Sequence, residues 1–104
     1  EMNIRDWSSD VCSSDLRIRA IGGYAPGGLS TFVKMAEIEE VEENASASSM
    51  VESLAKAHRK VIKDASKVRD VSAEAGDAET EDMMIARIQV HEKTLWMLES
   101  FLKE

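Results

Sequence analysis

Apolar residues recur at steps of three and four along residues 46–75, which is the spacing that places them on one face of a helix. The stripe consists of Met50, Leu54, His58 or Val61, Ala65 and Val68. Ser49 and Glu52 have the spacing of a capping box at a helix start. Gly76 fits a helix end because glycine tolerates left-handed backbone. The pattern predicts one long amphipathic helix.

A second long helix is predicted from about Asp77 to Leu102, with acidic first turns that the helix dipole favours. Its apolar seam consists of Met84, Ile88, His91, Leu95, Leu98 and Leu102. A short helix is predicted at Leu29 to Ala36, between a glycine-rich stretch at 22–28 and a Glu-rich run at 37–43. No segment shows the apolar–polar alternation of a strand, so the predicted fold class is all-α.

Two long amphipathic helices do not bury their apolar faces against each other alone. Ordering about 60 residues costs about 90 kcal/mol of conformational entropy, and a hairpin covers only part of each apolar face. A four-helix bundle would supply the missing contacts, but the front of the chain offers no obvious pair of helices. We expect that the missing helices lie in other chains or that the sequence is a fragment. The lack of a methionine at Glu1 favours a fragment.

Composition narrows the classes of function. At 104 residues the chain is no more than one domain, and 13 basic against 20 acidic side chains give a net charge of -7. This sign disfavours a basic face that binds nucleic acid directly. No apolar stretch approaches the roughly 18 residues of a membrane span. The single cysteine, Cys12, makes no internal disulfide. A cytoplasmic protein that does not bind membranes is therefore the default expectation.

Several motifs together resemble one family. Residues 17–28 (RIRAIGGYAPGG) resemble the end of the second helix and the start of the crossover in the Dps family, the mini-ferritins that protect DNA in starved bacteria. The similarity continues through the short helix, residues 58–61 (HRKV), residues 77–83 (DAETEDM) and residues 91–98 (HEKTLWML). It therefore covers residues 17–104, the C-terminal part of a family member.

The resemblance implies a ferritin-like four-helix bundle, here truncated to the end of the second helix, the short crossover helix and the last two long helices. Twelve subunits of the family form a hollow shell that oxidises ferrous iron, often with hydrogen peroxide, and stores ferric mineral. The implied cofactor and cargo is iron, and the implied partners are further copies of the chain. The family is bacterial, cytoplasmic and associated with the nucleoid.

Residues 1–16 carry no such resemblance. Residues 5–16 (RDWSSDVCSSDL) are similar to a translated sequencing adapter, so we interpret 1–16 as a non-native leader, with a genuine linker as the alternative. In the family, an Asp and a Glu four residues later bind the ferroxidase iron with histidines from a neighbouring subunit. The matching positions here are Cys12 and Leu16, which supply no carboxylate. The resemblance thus implies that this chain lacks a dinuclear ferroxidase centre, and leaves open whether it is an enzyme.

Asp82 and Glu92 are ten residues apart, so they lie within 80° of each other on one broad helix face. In the family, acidic residues at the matching positions line negatively charged pores through which iron enters the shell. The alternative is an ordinary solvated helix surface. His58 and His91 are predicted to be packed or hydrogen-bonded core residues, with metal binding as the alternative.

Two functions remain open from the sequence. The first is iron handling by a truncated mini-ferritin, with DNA protected through removal of iron and peroxide, because no Lys-rich tail is present for direct DNA binding. The second is a non-catalytic helical module that serves interaction and oligomerisation.

Overall fold

The computed structural model describes residues 14–103, and this part of the chain is all-α, as predicted. Helix α1 is described over residues 14–20, and the next three are α2 (Leu29–Ala36), α3 (Ala47–Ala75) and α4 (Ala78–Leu102). No strand occurs within residues 14–103. Within the same range, no helix combines the length and apolar character needed to cross a membrane. The chain divides after Glu37 into two compact units.

In the first unit, a glycine pair ends α1. Gly22 has a left-handed backbone with φ 97°, and its N–H donates to the carbonyl of Arg19 over 3.0 Å. The N–H of Gly23 donates to the carbonyl of Ile18 over 2.9 Å, which completes a Schellman motif. The Arg19 guanidinium also lies 5.0 Å from the centre of the Tyr24 ring. The predicted break in the glycine-rich stretch is confirmed, and α2 has the predicted bounds.

The second unit begins with a helix cap that differs from the prediction. Ser46, not Ser49, is the N-cap of α3, and its hydroxyl accepts from the Ser49 N–H over 3.2 Å. Ser46 has the extended backbone that precedes a helix, with φ -68° and ψ 162°. Ser49 is already inside the first turn, so the capping box assigned to Ser49 and Glu52 was wrong by three residues.

The turn between α3 and α4 is confirmed as predicted. Gly76 has φ 76°, and the Asp77 N–H donates to the carbonyl of Ser72 over 2.8 Å, which closes the end of α3. Asp77 then caps α4, because its carboxylate accepts from the Thr80 N–H over 3.2 Å. Such a short connection sends α4 back along α3, and the two helices pack as an antiparallel hairpin.

The hairpin seam on α3 follows a heptad spacing of buried and half-buried residues. Its members are Val51, Ala55, His58, Ile62, Ala65, Arg69 and Ser72. Ala55 is fully buried, and opposite this stripe Ile88 of α4 is 5% exposed. The predicted α4 seam is confirmed, since all six of its residues are buried or half-buried.

The predicted α3 stripe was wrong in three of its positions. Met50, Leu54 and Val68 are 48%, 49% and 44% exposed, whereas the residues one position further along the chain are buried (Ala55) or half-buried (Val51 and Arg69). Small side chains let two helix axes approach closely, so the alanines of α3 form the seam and its larger apolar residues lie beside it.

Candidate functional site

Asp82 and Glu92 both lie on the exposed surface of α4. Ten residues of helix separate them by about 15 Å along the axis. The two carboxylates of one chain therefore do not meet at a single ion, although they face the same side. Such a pair is suited to lining a path for hydrated cations, and its role as a pore remains a prediction.

The positions matched to the ferroxidase ligands contribute little to a site within the described chain. Leu16 lies in α1, where it is 69% exposed and has no donor atom in its side chain. Cys12 lies outside the described residues. Within residues 14–103, no three His, Cys, Asp or Glu side chains come together as a group that could hold a metal ion.

His58 and His91 form a half-buried polar contact between the two long helices. Their Nδ1 atoms are 2.9 Å apart, and their ring centres are 5.0 Å apart with the planes tilted by 48°. Both side chains are half-buried in the seam. The prediction that they are hydrogen-bonded core histidines is confirmed.

Arg87 sets the direction of this hydrogen bond. Its Nη2 lies 3.2 Å from His91 Nε2, and a guanidinium only donates, so Nε2 of His91 accepts. The proton of neutral His91 is then on Nδ1 and is donated to Nδ1 of His58. Arg87 was not among the predicted site residues, although its position one helical turn before His91 was a signal for such a contact.

The surroundings of His91 favour its neutral form. Burial lowers the pKa of His91 below its usual 6.5, and the positive charge of Arg87 and the neighbouring His58 lower it further. A neutral pair keeps one donor facing one acceptor between α3 and α4. Protonation of His91 would place a second donor against Arg87.

Ion pairs lie on the surface around this polar core. Arg59 Nη2 of α3 donates to Glu99 Oε1 of α4 over 2.9 Å. Lys60 pairs with Asp64 over 2.6 Å, and this hydrogen bond holds the pKa of Asp64 below its usual value. Exposed pairs of this kind fix orientation more than they add stability.

Known proteins match most of the chain. Residues 16–104 match the model of the ferritin family, described as a ferritin-like domain. A DNA protection during starvation protein from Porphyromonas gingivalis is 31% identical over 82% of this chain and 54% of its own length. A protein of the same name from Brevibacillus brevis is 36% identical over 84% of this chain and 58% of its own length. The chain thus spans about half the length of these relatives.

Solved structures agree with this assignment. A crystal structure of Dps from Staphylococcus aureus superposes with a TM-score of 0.85 at 30% identity, over 94% of this chain and 66% of that one. Dps from Bacillus brevis gives a TM-score of 0.85 at 33% identity, with the same coverage. The short helix, the two long antiparallel helices and the matched residues lead to one assignment: the chain belongs to the Dps family of ferritin-like proteins.

Proposed function

We propose that the chain is the C-terminal part of a mini-ferritin subunit whose family role is to take up ferrous iron, store it as ferric mineral and thereby protect DNA. Family membership across residues 16–104 is the observation that carries this proposal. The chain supplies the wall of a shell and a route for iron, with hydrogen peroxide or oxygen as the oxidant. Oxidation at a dinuclear centre is not assigned to it, because Leu16 offers no ligand.

The acidic surface of α4 supports the iron route. Asp82 and Glu92 are exposed, and the chain carries a net charge of -7. Carboxylates that surround a narrow passage attract divalent cations and raise their local concentration. In a symmetric assembly each chain contributes the same two carboxylates, so three copies around an axis would place rings of negative charge along about 15 Å of passage.

Removing these carboxylates is expected to slow iron uptake. In the double variant Asp82→Asn, Glu92→Gln, we expect the initial rate at which iron becomes associated with the protein to fall by about tenfold, since electrostatic attraction raises such rates by tenfold or more. The rate is measured by rapid desalting at successive times after ferrous iron and peroxide are added. The matched control is Glu52→Gln, Glu74→Gln, which removes two exposed carboxylates from α3. Equal slowing in both double variants would contradict a specific route.

The second candidate function, a helical interaction module without iron chemistry, is favoured by the apolar side chains that α3 and α4 leave exposed. Iron retention separates the two candidates. A module associates without retaining iron, whereas a mini-ferritin elutes together with its mineral.

A further inference from the structure

The basic side chains of the chain are concentrated on α3. Residues 56–69 contain six of the 13 lysines and arginines and one acidic residue, Asp64, which gives this segment a net charge of +5. The remaining seven basic and 19 acidic side chains give the rest of the chain a net charge of -12. The overall charge of -7 therefore does not describe the surface of α3, and it does not exclude an anionic partner there.

Five of these six basic residues lie along one face of the helix. We call them the basic stripe, which consists of Lys56, Arg59, Lys60, Lys63 and Lys67. Helix periodicity places them within an arc of about 100° and along about 16 Å of the axis. The centre of this arc is about 140° around α3 from the centre of the seam, so most of the stripe is directed away from α4. Four of its residues are exposed, and Lys60 is half-buried.

Two of the five cations are already paired with carboxylates. Arg59 donates to Glu99, and Lys60 donates to Asp64. The other three form no ion pair within residues 14–103, and they are Lys56, Lys63 and Lys67. Successive members of this unpaired set are separated by about 10 Å and about 6 Å along the axis. Three positive charges therefore remain available to a partner along one straight edge of α3.

The shape and chemistry of the stripe suit a linear polyanion. A small anion would neutralise only part of the unpaired set, whereas a chain of phosphates would meet all three lysines. An anionic membrane suits the stripe less, because helices that bind a membrane surface insert large apolar side chains beside their basic residues. The residues that continue this face beyond the stripe are polar instead, namely Ser49, Glu52, Asp70 and Glu74.

Duplex nucleic acid presents such a chain of charges. It carries one phosphate charge per roughly 1.7 Å of its axis, so a stripe of about 16 Å faces about nine charges. Lysine contacts with phosphate release bound counterions, and this release drives binding that does not depend on sequence. Contacts of this kind position a protein on the duplex but do not read its bases.

We propose that the basic stripe of α3 binds duplex nucleic acid through its phosphate backbone, without reading the base sequence. Lys56, Lys63 and Lys67 make the contacts, so binding by one copy of the chain is weak and sensitive to salt. In an assembly the same stripe recurs on each copy, and simultaneous contacts of several stripes with one duplex raise the affinity.

This inference goes beyond the proposed function, in which DNA is protected by the removal of iron and peroxide without direct contact. Binding of a duplex without iron retention would leave the inference standing and remove the proposed function. Iron retention without binding of a duplex would do the reverse.

Fluorescence anisotropy of a labelled DNA duplex, titrated with the full chain without iron at about 50 mM salt, tests the proposal. We expect saturable binding by the wild type. The variant Lys56→Gln, Lys63→Gln, Lys67→Gln is expected to bind at least about tenfold more weakly, because all three phosphate contacts are lost.

The matched control is Lys34→Gln, Lys93→Gln, Lys103→Gln, which makes the same change in net charge at exposed lysines outside the stripe. We expect it to bind within about threefold of the wild type, since distant charges are largely screened. No binding by the wild type, or equal weakening in both triple variants, would overturn the proposal.

The salt dependence of the affinity tests the contacts themselves. For three phosphate contacts, the slope of log affinity against log salt concentration is expected to be about -3, and the stripe variant is expected to have a slope close to zero. Two duplexes of unrelated sequence are expected to bind equally well. A wild-type slope close to zero, or a strong preference for one duplex, would overturn binding through the backbone. Binding to phosphatidylserine vesicles but not to a duplex would also overturn it, because the partner would then be a membrane.

Discussion

Replacing Ile88 by alanine is expected to lower the free energy of unfolding by about 3 kcal/mol. Ile88 is 5% exposed and lies in the seam between α3 and α4. Removing three of its carbons loses apolar burial and leaves a cavity that two stiff helices do not close. In a hairpin with so few buried residues, this loss is large enough to reduce the helix content at room temperature, as measured by urea unfolding and far-UV circular dichroism.

Ile85→Ala is the matched control for this prediction. It removes the same atoms from the same helix, but Ile85 is 38% exposed and lies outside the seam. We expect its cost to stay below about 1 kcal/mol. If the two variants lost similar stability, the seam assigned to α3 and α4 would be incorrect.

Stability is also expected to fall as the pH decreases below about 6.5. The pKa of His91 is lowered in the folded protein by burial, by Arg87 and by His58, so the unfolded chain binds the proton more readily. This contribution to stability is fully present above the unfolded value of 6.5 and is lost as the pH falls through the lowered folded value. The lowered pKa of Asp64 also makes the folded protein less stable as the pH falls, but only below its usual value of 3.8. The two effects therefore occur in separate pH ranges.

The thermal unfolding midpoint, measured from neutral pH to about pH 5.5 at fixed protein concentration, tests this prediction. The midpoint of the wild type is expected to fall over this range. His91→Gln removes the titrating group and keeps an amide that accepts from Arg87 and donates to His58. Its midpoint is expected to change little over the same range. A variant that kept the full pH dependence would show that other groups cause it.

Local signals were enough to predict most helix ends, although the capping box of α3 was placed three residues too late. Gly22 and Gly76 both have left-handed backbones, and such positions depend on the residue itself more than on the rest of the fold. Asp77 likewise caps α4 through a contact within its own turn. These features are encoded within a few residues, which is why the bounds of α2 and α4 agree with the sequence pattern.

Which face of α3 packs in the seam could not be predicted without the position of the partner helix. Two heptad stripes run beside each other on α3, one containing Leu54 and the other containing Ala55. The sequence pattern favoured the larger side chains, whereas the hairpin buries Ala55 completely because close approach of the helices demands small residues. Hydrophobicity alone does not identify which of two adjacent stripes meets which neighbour.

The sequence predicted which residues belong to the candidate site better than it predicted the contacts between them. His58 and His91 were recognised as seam residues, but their contact depends on the register between helices 33 positions apart in sequence. Arg87 acquires its role only through that contact. Asp82 and Glu92 were placed on one face by helix periodicity alone, and the structure leaves both exposed. In the proposed iron route, their partners would belong to other copies of the chain.

Iron retention tests the central claim most directly. The purified 104-residue protein is mixed with ferrous iron and hydrogen peroxide and then separated by gel filtration, with protein and iron measured in each fraction. We expect ferric iron to elute with the protein, in an assembly much larger than one 11.5 kDa chain. Protein that elutes without iron, while the ferric product is recovered only as a protein-free precipitate, would contradict a mini-ferritin role for this chain.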